Sequence, residues 1–299
     1  MKKNPVLVVL ATAAILGAVF FVLLFLAYSL TGSRPSTKLS VVGQDRVALV
    51  KLEGVLLSSE HIVEELNDYA DDSSIKAIVI RVDSPGGGVV PSQEIYNAVK
   101  HARQEGKKVV VSMGSVAASG GYYVAAAADL IVANPGTMTG SIGVKMEFAN
   151  IEKLLEKIGV KGMVVKSGEY KDVGSPFREM TEKERSLLQG VIDDVQTQFV
   201  MAVVEGRNLP EAEVRAIADG RIFTGQQALA LKLVDQMGDL EHSIRAAANL
   251  AGIKGKPFVV KKDKKMPFFD YLKEETASWI AETVAQGISS GSGKLQYRY

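Results

Sequence analysis

No cysteine occurs among the 299 residues, and only three histidines do: His61, His101 and His242. Without cysteine there is no thiol nucleophile, no disulfide framework and no cysteine zinc site. The histidines are scattered, with no pair at a metal-ligand spacing such as H-E-x-x-H, so no metal is expected. Nor does either sign of charge dominate. Lys and Arg number 35 against 34 Asp and Glu, a formal net charge of +1, which gives no electrostatic case for a nucleic-acid partner. There is no long internal repeat, so the chain reads as one working unit.

What is present begins with a long apolar run. "MKKNPVLVVLATAAILGAVFFVLLFLAYSL" carries Lys2 and Lys3, then no charge from Val6 to Leu30. About 25 such residues make a helix of about 37 Å, enough for a bilayer core of about 30 Å. A cleavable signal peptide competes with this reading, but its apolar region spans only about 7–15 residues. Residues 1–30 are therefore expected to be a cytoplasmic N-terminus and an uncleaved transmembrane anchor, with the body of the chain outside the cytoplasm. Residues 31–45 read as a polar linker.

Beyond the linker, short apolar strands alternate with helical stripes. "RVALVKLEGVL", "IKAIVIRVDS", "KKVVVSMGS" and "DLIVANP" are strand-like; Ser59 to Tyr69, "PSQEIYNAVKHARQEGK" and the stretch after Ser119 are helix-like. This alternation argues for a parallel α/β sheet covered on both faces. "FANIEKLLEKIGV" is expected to be an amphipathic helix and "KGMVVKSG" a further strand. After Pro176 the chain turns mostly helical: "TEKERSLLQGVIDDVQTQFVMAVVEG" opens with a Thr capping residue and Glu184 three positions on. Two shorter helices are expected in "TGQQALALKLVDQMGDLEHSIRAAANLAG". Residues 46–253 are expected to form the main domain, 254–285 a basic and aromatic C-terminal segment, and 286–299 a flexible tail.

Four short motifs could carry chemistry. In "GSVAASGGYYVAAAADL", Ser119 stands among small residues just before a helix former, where free N–H groups favour developing negative charge. The same pattern also describes a tight small-residue helix contact. "DSPGGG", Asp83 to Gly88, ends a buried strand in a glycine turn. Gly86 could there offer one backbone N–H and Gly120 a second to a common oxyanion, although a plain strand-to-helix turn has the same sequence. "TGSIG" supplies the Ser141 hydroxyl. A serine needs a base. His101 and His242 have nothing around them that orients an imidazole. In "KSGEYKDVGSPF", Lys171 lies between glycine turns. It could serve as a base if burial lowered its pKa from about 10.4, but by itself it also fits a solvated loop.

Together, "DSPGGG", "GSVAASGGYYVA", "TGSIGV" and "GEYKDVGSPFREMT" resemble, in order and approximate spacing, the signal peptide peptidase A family of bacterial membrane serine proteases. The likeness runs from Arg46 to about Ala251 and includes the apolar N-terminus. Lys171 follows Ser119 by 52 positions, as in the short, single-unit branch. The resemblance implies a Clp protease/crotonase-like α/β fold with an N-terminal transmembrane helix. It further implies Ser119 as nucleophile, Lys171 as general base, Ser141 as the hydroxyl that orients the lysine, and Gly86 and Gly120 as oxyanion donors. No cofactor is implied. The expected substrates are signal-peptide remnants in the membrane, and the expected assembly is a ring-like homo-oligomer with active sites shared between neighbours. A crotonase-type acyl-CoA enzyme and a non-catalytic membrane scaffold of the same fold are the competing readings.

Overall fold

The computed structural model describes residues 45–262. The expected anchor, nearly all of the linker, most of the C-terminal segment and the tail lie outside these residues. Among the described residues, no helix is long and apolar enough to cross a membrane.

Three long strands carry the sheet: β1 (Arg46–Glu53), β2 (Ile75–Ser84) and β3 (Lys108–Ala118). Their β-branched runs suit strands buried on both faces. Five short strands complete it: β4 (Leu130–Ala133), β5 (Met138–Gly140), β6 (Ile222–Thr224), β7 (Gln236–Met237) and β8 (Phe258–Val260). The order is β6-β5-β3-β2-β1-β8, with β4 also on β3 and β7 on β4. Every pairing is parallel except β5 with β6. The expected parallel α/β arrangement is present.

Alternate residues of β2 divide two cores. Ile78, Ile80 and Val82 face the larger one. There they meet Leu66 of α1 (Glu60–Asp71), Ile95 and Val99 of α2 (Val89–Gln104), and Tyr122 of α3 (Gly120–Ala126). Ala77 and Val79 face the smaller core, closed by Ile244, Ala247 and Ala248. Each fully buried Ile or Val contributes about 1.5–3 kcal/mol relative to exposure. Tyr122 is fully buried, and its hydroxyl donates to Leu233 O at 3.0 Å, so the polar tip is satisfied as well.

β3 has two successive partners on one edge. Val110 to Ser112 pair with β4, and Val116 to Ala118 pair with β5. Between these halves the register against β2 slips, from Val82↔Met113 to Ser84↔Ala117. Asp83 fills the break, its Oδ1 accepting from Val116 N–H at 3.0 Å. A Cβ on Gly114 would fall 2.7 Å from the Asp83 carboxyl carbon, so a side chain there would displace the bridge.

The segment after β5 departs from expectation. The helix expected at "FANIEKLLEKIGV" is only α4 (Glu152–Lys157) and buries nothing. "KGMVVKSG" forms no strand. Met163 is 91% exposed, and Leu154, Ile158 and Val165 are also exposed. A strand needs a neighbour for its backbone groups, and an amphipathic helix needs a surface for its apolar stripe. The described residues of this chain supply neither here.

Helix α5 (Glu182–Arg207) starts in the expected capping box, with Thr181 and Glu184 bonding each other's backbone N–H. Its N-terminal half leaves Leu187 and Val191 exposed, and the apolar face is buried only from Phe199 onward. α6 (Glu211–Ile217), α7 (Gly225–Ala230) and α8 (Leu240–Leu250) follow. The sheet continues past residue 253 to β8, parallel to β1.

Candidate active site

Ser119 joins the end of β3 to the start of α3, with φ 53° and ψ −122°. A non-glycine residue at positive φ is under strain and persists only when its surroundings hold it. Both sides do so. Ser119 N–H donates to Gly140 O at 2.9 Å, at the end of β5, and Ser119 O accepts from Tyr123 N–H at 2.8 Å, in the first turn of α3. This is a sharp strand-to-helix turn of the kind that presents a nucleophilic hydroxyl.

The glycine turn after β2 presses against it. Gly86 has φ 96°, and a Cβ there would lie 2.6 Å from Gly120 N and 2.8 Å from Ser119 Cβ. The backbones of Gly86 and Gly120 therefore meet beside Ser119. A Cβ on Gly120 would collide with Ser92 Oγ of α2. Gly86 N–H rests 3.1 Å from Ser84 Oγ, whose own proton goes to Gly54 O at 2.6 Å. Leu56 clamps the turn from outside: its N–H donates to Gly86 O at 2.9 Å and its carbonyl accepts from Gly88 N–H at 2.8 Å.

A cavity of about 460 Å³ opens over Ser119, Gly86 and Gly120. Its apolar wall includes Val55, Tyr123 and Phe199. Tyr123 stands edge-on to Tyr96, centroids 5.0 Å apart, and tilted against Phe199 at 4.9 Å, so the wall is a packed aromatic stack. Ser141 follows Gly140 directly at φ 51°, half-buried, and its N–H donates to Arg221 O at 2.8 Å. Ser119, Gly86, Gly120 and Ser141 are thus brought into one corner of the fold.

Lys171 is not. It is exposed, it does not line the Ser119 cavity, and its backbone N–H closes a turn to Gly168 O at 3.2 Å. The burial expected of a lysine base is not provided by the described residues of its own chain. The lysine that does line the cavity is Lys145, but its side chain is 78% exposed and pairs with Glu147 at 2.8 Å. A lysine base needs a dry enclosure, which Lys145 lacks. No histidine lines the cavity; His242 Nε2 is bonded to Gln236 Oε1 at 2.8 Å. Among the described residues, no three His, Asp or Glu side chains gather as a metal-binding group.

Three bracing hydroxyls are not among the residues that the motifs single out. Ser92 Oγ donates to Gly88 O at 2.8 Å and Thr139 Oγ1 to Ala117 O at 2.6 Å; with Ser84, all three residues are buried. Ser84 and Thr139 lie inside "DSPGGG" and "TGSIG", and a hydroxyl buried in a glycine-rich turn was the available signal.

A strained serine at a strand-to-helix turn, with two glycine backbones against it and a cavity above, defines the class of a serine hydrolase on a Clp-type sheet. Known proteins narrow the class. The model of Peptidase family S49 matches residues 101–254, and that of Clp protease matches residues 36–153. A Synechocystis protein provisionally named a protease is 47% identical over 209 residues, covering 70% of this chain and 75% of its own. An Enterococcus faecium protein provisionally named signal peptide peptidase SppA is 33% identical over 233 residues, covering 76% and 64%. Protease 4 of Haemophilus influenzae is 33% identical over 215 residues, 69% of this chain but 35% of that longer one. The chain belongs to peptidase family S49, the signal peptide peptidase A family, and is a serine protease. The acyl-CoA and scaffold readings fall away.

Proposed function

We propose that this protease is membrane-anchored and cleaves remnant signal peptides through a Ser119/Lys171 dyad, with the lysine delivered by a neighbouring copy of the chain. The observation that carries this reading is the separation of the pair: Ser119 sits in a formed cavity while Lys171 is exposed outside it. The surface near Lys171 supports a docked neighbour. Met163, Val164, Val165 and Phe177, near it in sequence, are all exposed, and apolar side chains of this kind are what an interface covers. Docking would also give Lys171 the dry surroundings that a neutral amine needs. The apolar run of residues 6–30 supports the anchor, and the name of the Enterococcus relative supports the substrate class.

In this mechanism Lys171 Nζ takes the proton from Ser119 Oγ as the oxygen attacks the scissile carbonyl carbon. The oxyanion is received by the N–H groups of Gly86 and Gly120, Gly86 giving up its 3.1 Å contact with Ser84 Oγ. Lys171 returns the proton to the departing amine, leaving an acyl-Ser119 ester. Lys171 then deprotonates a water that releases the acyl group and restores the serine. Ser141, beside the site, orients the lysine amine.

The test is subunit mixing. Ser119→Ala and Lys171→Ala proteins are each expected to lose activity by about 10³-fold or more, and Lys171→Arg to be equally inactive because a guanidinium stays protonated. Mixed under conditions of proven exchange, the two alanine variants are expected to recover part of the activity. No recovery would place both residues in one protomer. Wild-type activity should rise through mildly alkaline pH as the lysine loses its proton; a profile flat across that range would remove lysine as the base.

A further inference from the structure

The loop that carries Lys171 has almost no packing to hold it, since residues 161–171 are all exposed. It does have a charge cluster. Arg178 Nε and Nη2 each bond Asp172 at 2.9 Å, one to each carboxylate oxygen, and the same guanidinium reaches both oxygens of Glu184, with Nη1 to Oε2 at 2.8 Å. Lys166 Nζ adds a second cation on Asp172 at 2.7 Å. The Asp172 side chain is 12% exposed and that of Glu184 4%. Glu184 is also the capping-box residue of α5, accepting from Thr181 N–H at 2.9 Å. One guanidinium thus fastens the residue next to Lys171 to the first turn of the longest helix among the described residues, in the bidentate geometry that arginine provides and lysine does not.

We propose that Arg178 is a positioning residue for the Lys171 amine, and that its clamp also keeps the adjacent Asp172 carboxylate from holding that amine as ammonium. The proposal rests on the assignment of Lys171 as base made above. An aspartate beside a lysine base is a hazard, because an unpaired carboxylate stabilises the protonated amine. Here two cations occupy it, and the four charges of Lys166, Asp172, Arg178 and Glu184 sum to zero. The remaining titratable groups about the loop are Lys161, Glu169 and Tyr170 on it, Glu179 after it, and Glu182 and Lys183 on α5; Lys183 lies 3.8 Å from Glu169. Arg178 first, then Lys166, hold the Asp172 carboxyl well below the usual range. It stays ionised whenever the enzyme works, and only its pairing can be changed.

The test uses the full-length chain hydrolysing a fluorogenic peptide, with kcat and KM measured from neutral to strongly alkaline pH. Arg178→Gln, Asp172→Asn and the double variant are compared with Lys171→Ala. Arg178 lies outside both cores, and thermal unfolding of each variant is measured alongside as the check on folding. Arg178→Gln is expected to lower kcat by about 10–100-fold with KM within about twofold, since displacing a catalytic group by about 1 Å costs that much. Its alkaline rise should move up by about one pH unit, because Asp172 then keeps only Lys166 as a partner and its charge is less fully offset beside Lys171. Adding Asp172→Asn should return the rise to its wild-type position while kcat stays low. Wild-type kinetics in Arg178→Gln would overturn the proposal. So would a fall in kcat with an unmoved pH profile, or a displacement that persists in the double variant, either of which reduces the cluster to scaffolding. An active Lys171→Ala protein would instead remove the base assignment itself.

Discussion

Ser119 and Lys171 are held by different kinds of force. At Ser119 the backbone does the holding: its N–H is bound by β5, its carbonyl by α3, and Gly86 is wedged against its Cβ. At Lys171 the backbone makes isolated turns, and side-chain charge anchors the loop to α5. The contrast teaches where each half of the proposed site gets its precision. The serine is placed by the fold of its own chain, whatever the pH or the neighbours. The loop that carries the lysine is held by ion pairs of its neighbours, and on the proposed reading by a second copy as well.

Gly86→Ala attacks the serine side where it has no slack. The new Cβ would fall 2.6 Å from Gly120 N, on a residue at φ 96°. Activity should drop by about 10²–10³-fold, the cost of losing one oxyanion donor, and thermal unfolding should show lower stability. Near-normal turnover would mean that this turn does not form the oxyanion site.

Acid should separate the two regions. Arg178, helped by the Thr181 N–H, lowers the Glu184 carboxyl from 4.5 to about 2. A carboxyl depressed in the folded state stabilises it fully above its unfolded pKa, and that stabilisation is lost as pH falls through the folded pKa. Between about pH 4.5 and 2 the lysine loop should therefore loosen while the Ser119 turn, held by amides, stays protected. Hydrogen exchange corrected for its intrinsic pH dependence reads both; equal loosening at the two sites would erase the distinction.

The smallest expected effect is a gain. Ser119→Gly removes the strain of φ 53°, ψ −122° and should raise stability by about 1 kcal/mol after the added chain entropy, or about 2–4 °C in Tm. An unchanged or lower Tm would show that the turn stores no strain.

Much of the serine side was legible in the sequence, because local chemistry determines it. Glycines at 86 and 120 mark close backbone approach, and the β-branched runs of β1, β2 and β3 mark buried strands. The Thr181/Glu184 capping box was equally readable, being a contact between residues three positions apart. What escaped was set by distant or absent partners. β8 is Phe258-Val259-Val260, strand-favouring residues in a run too short to read as a strand without the β1 edge it pairs with. The apolar periodicity of 148–168 is real, but without a surface to cover it yields one short helix and no strand. Arg178 escaped because ion pairs six residues apart across a loop leave no periodic trace.

The fork in β3 bears on how Ser119, the proposed nucleophile, could be tuned. The half of β3 that ends in Ser119 lies against β5, not β4, and β5 is backed by β6. Gly140 O fixes the serine, Phe223 fills the space where a Gly140 side chain would lie, and Arg221 O fixes Ser141. A short peripheral pair of antiparallel strands, distant in sequence, is therefore the outer brace of the proposed site. An engineer seeking to shift the serine by fractions of an ångström would edit residues 221–224 at the rim and leave the three long strands untouched.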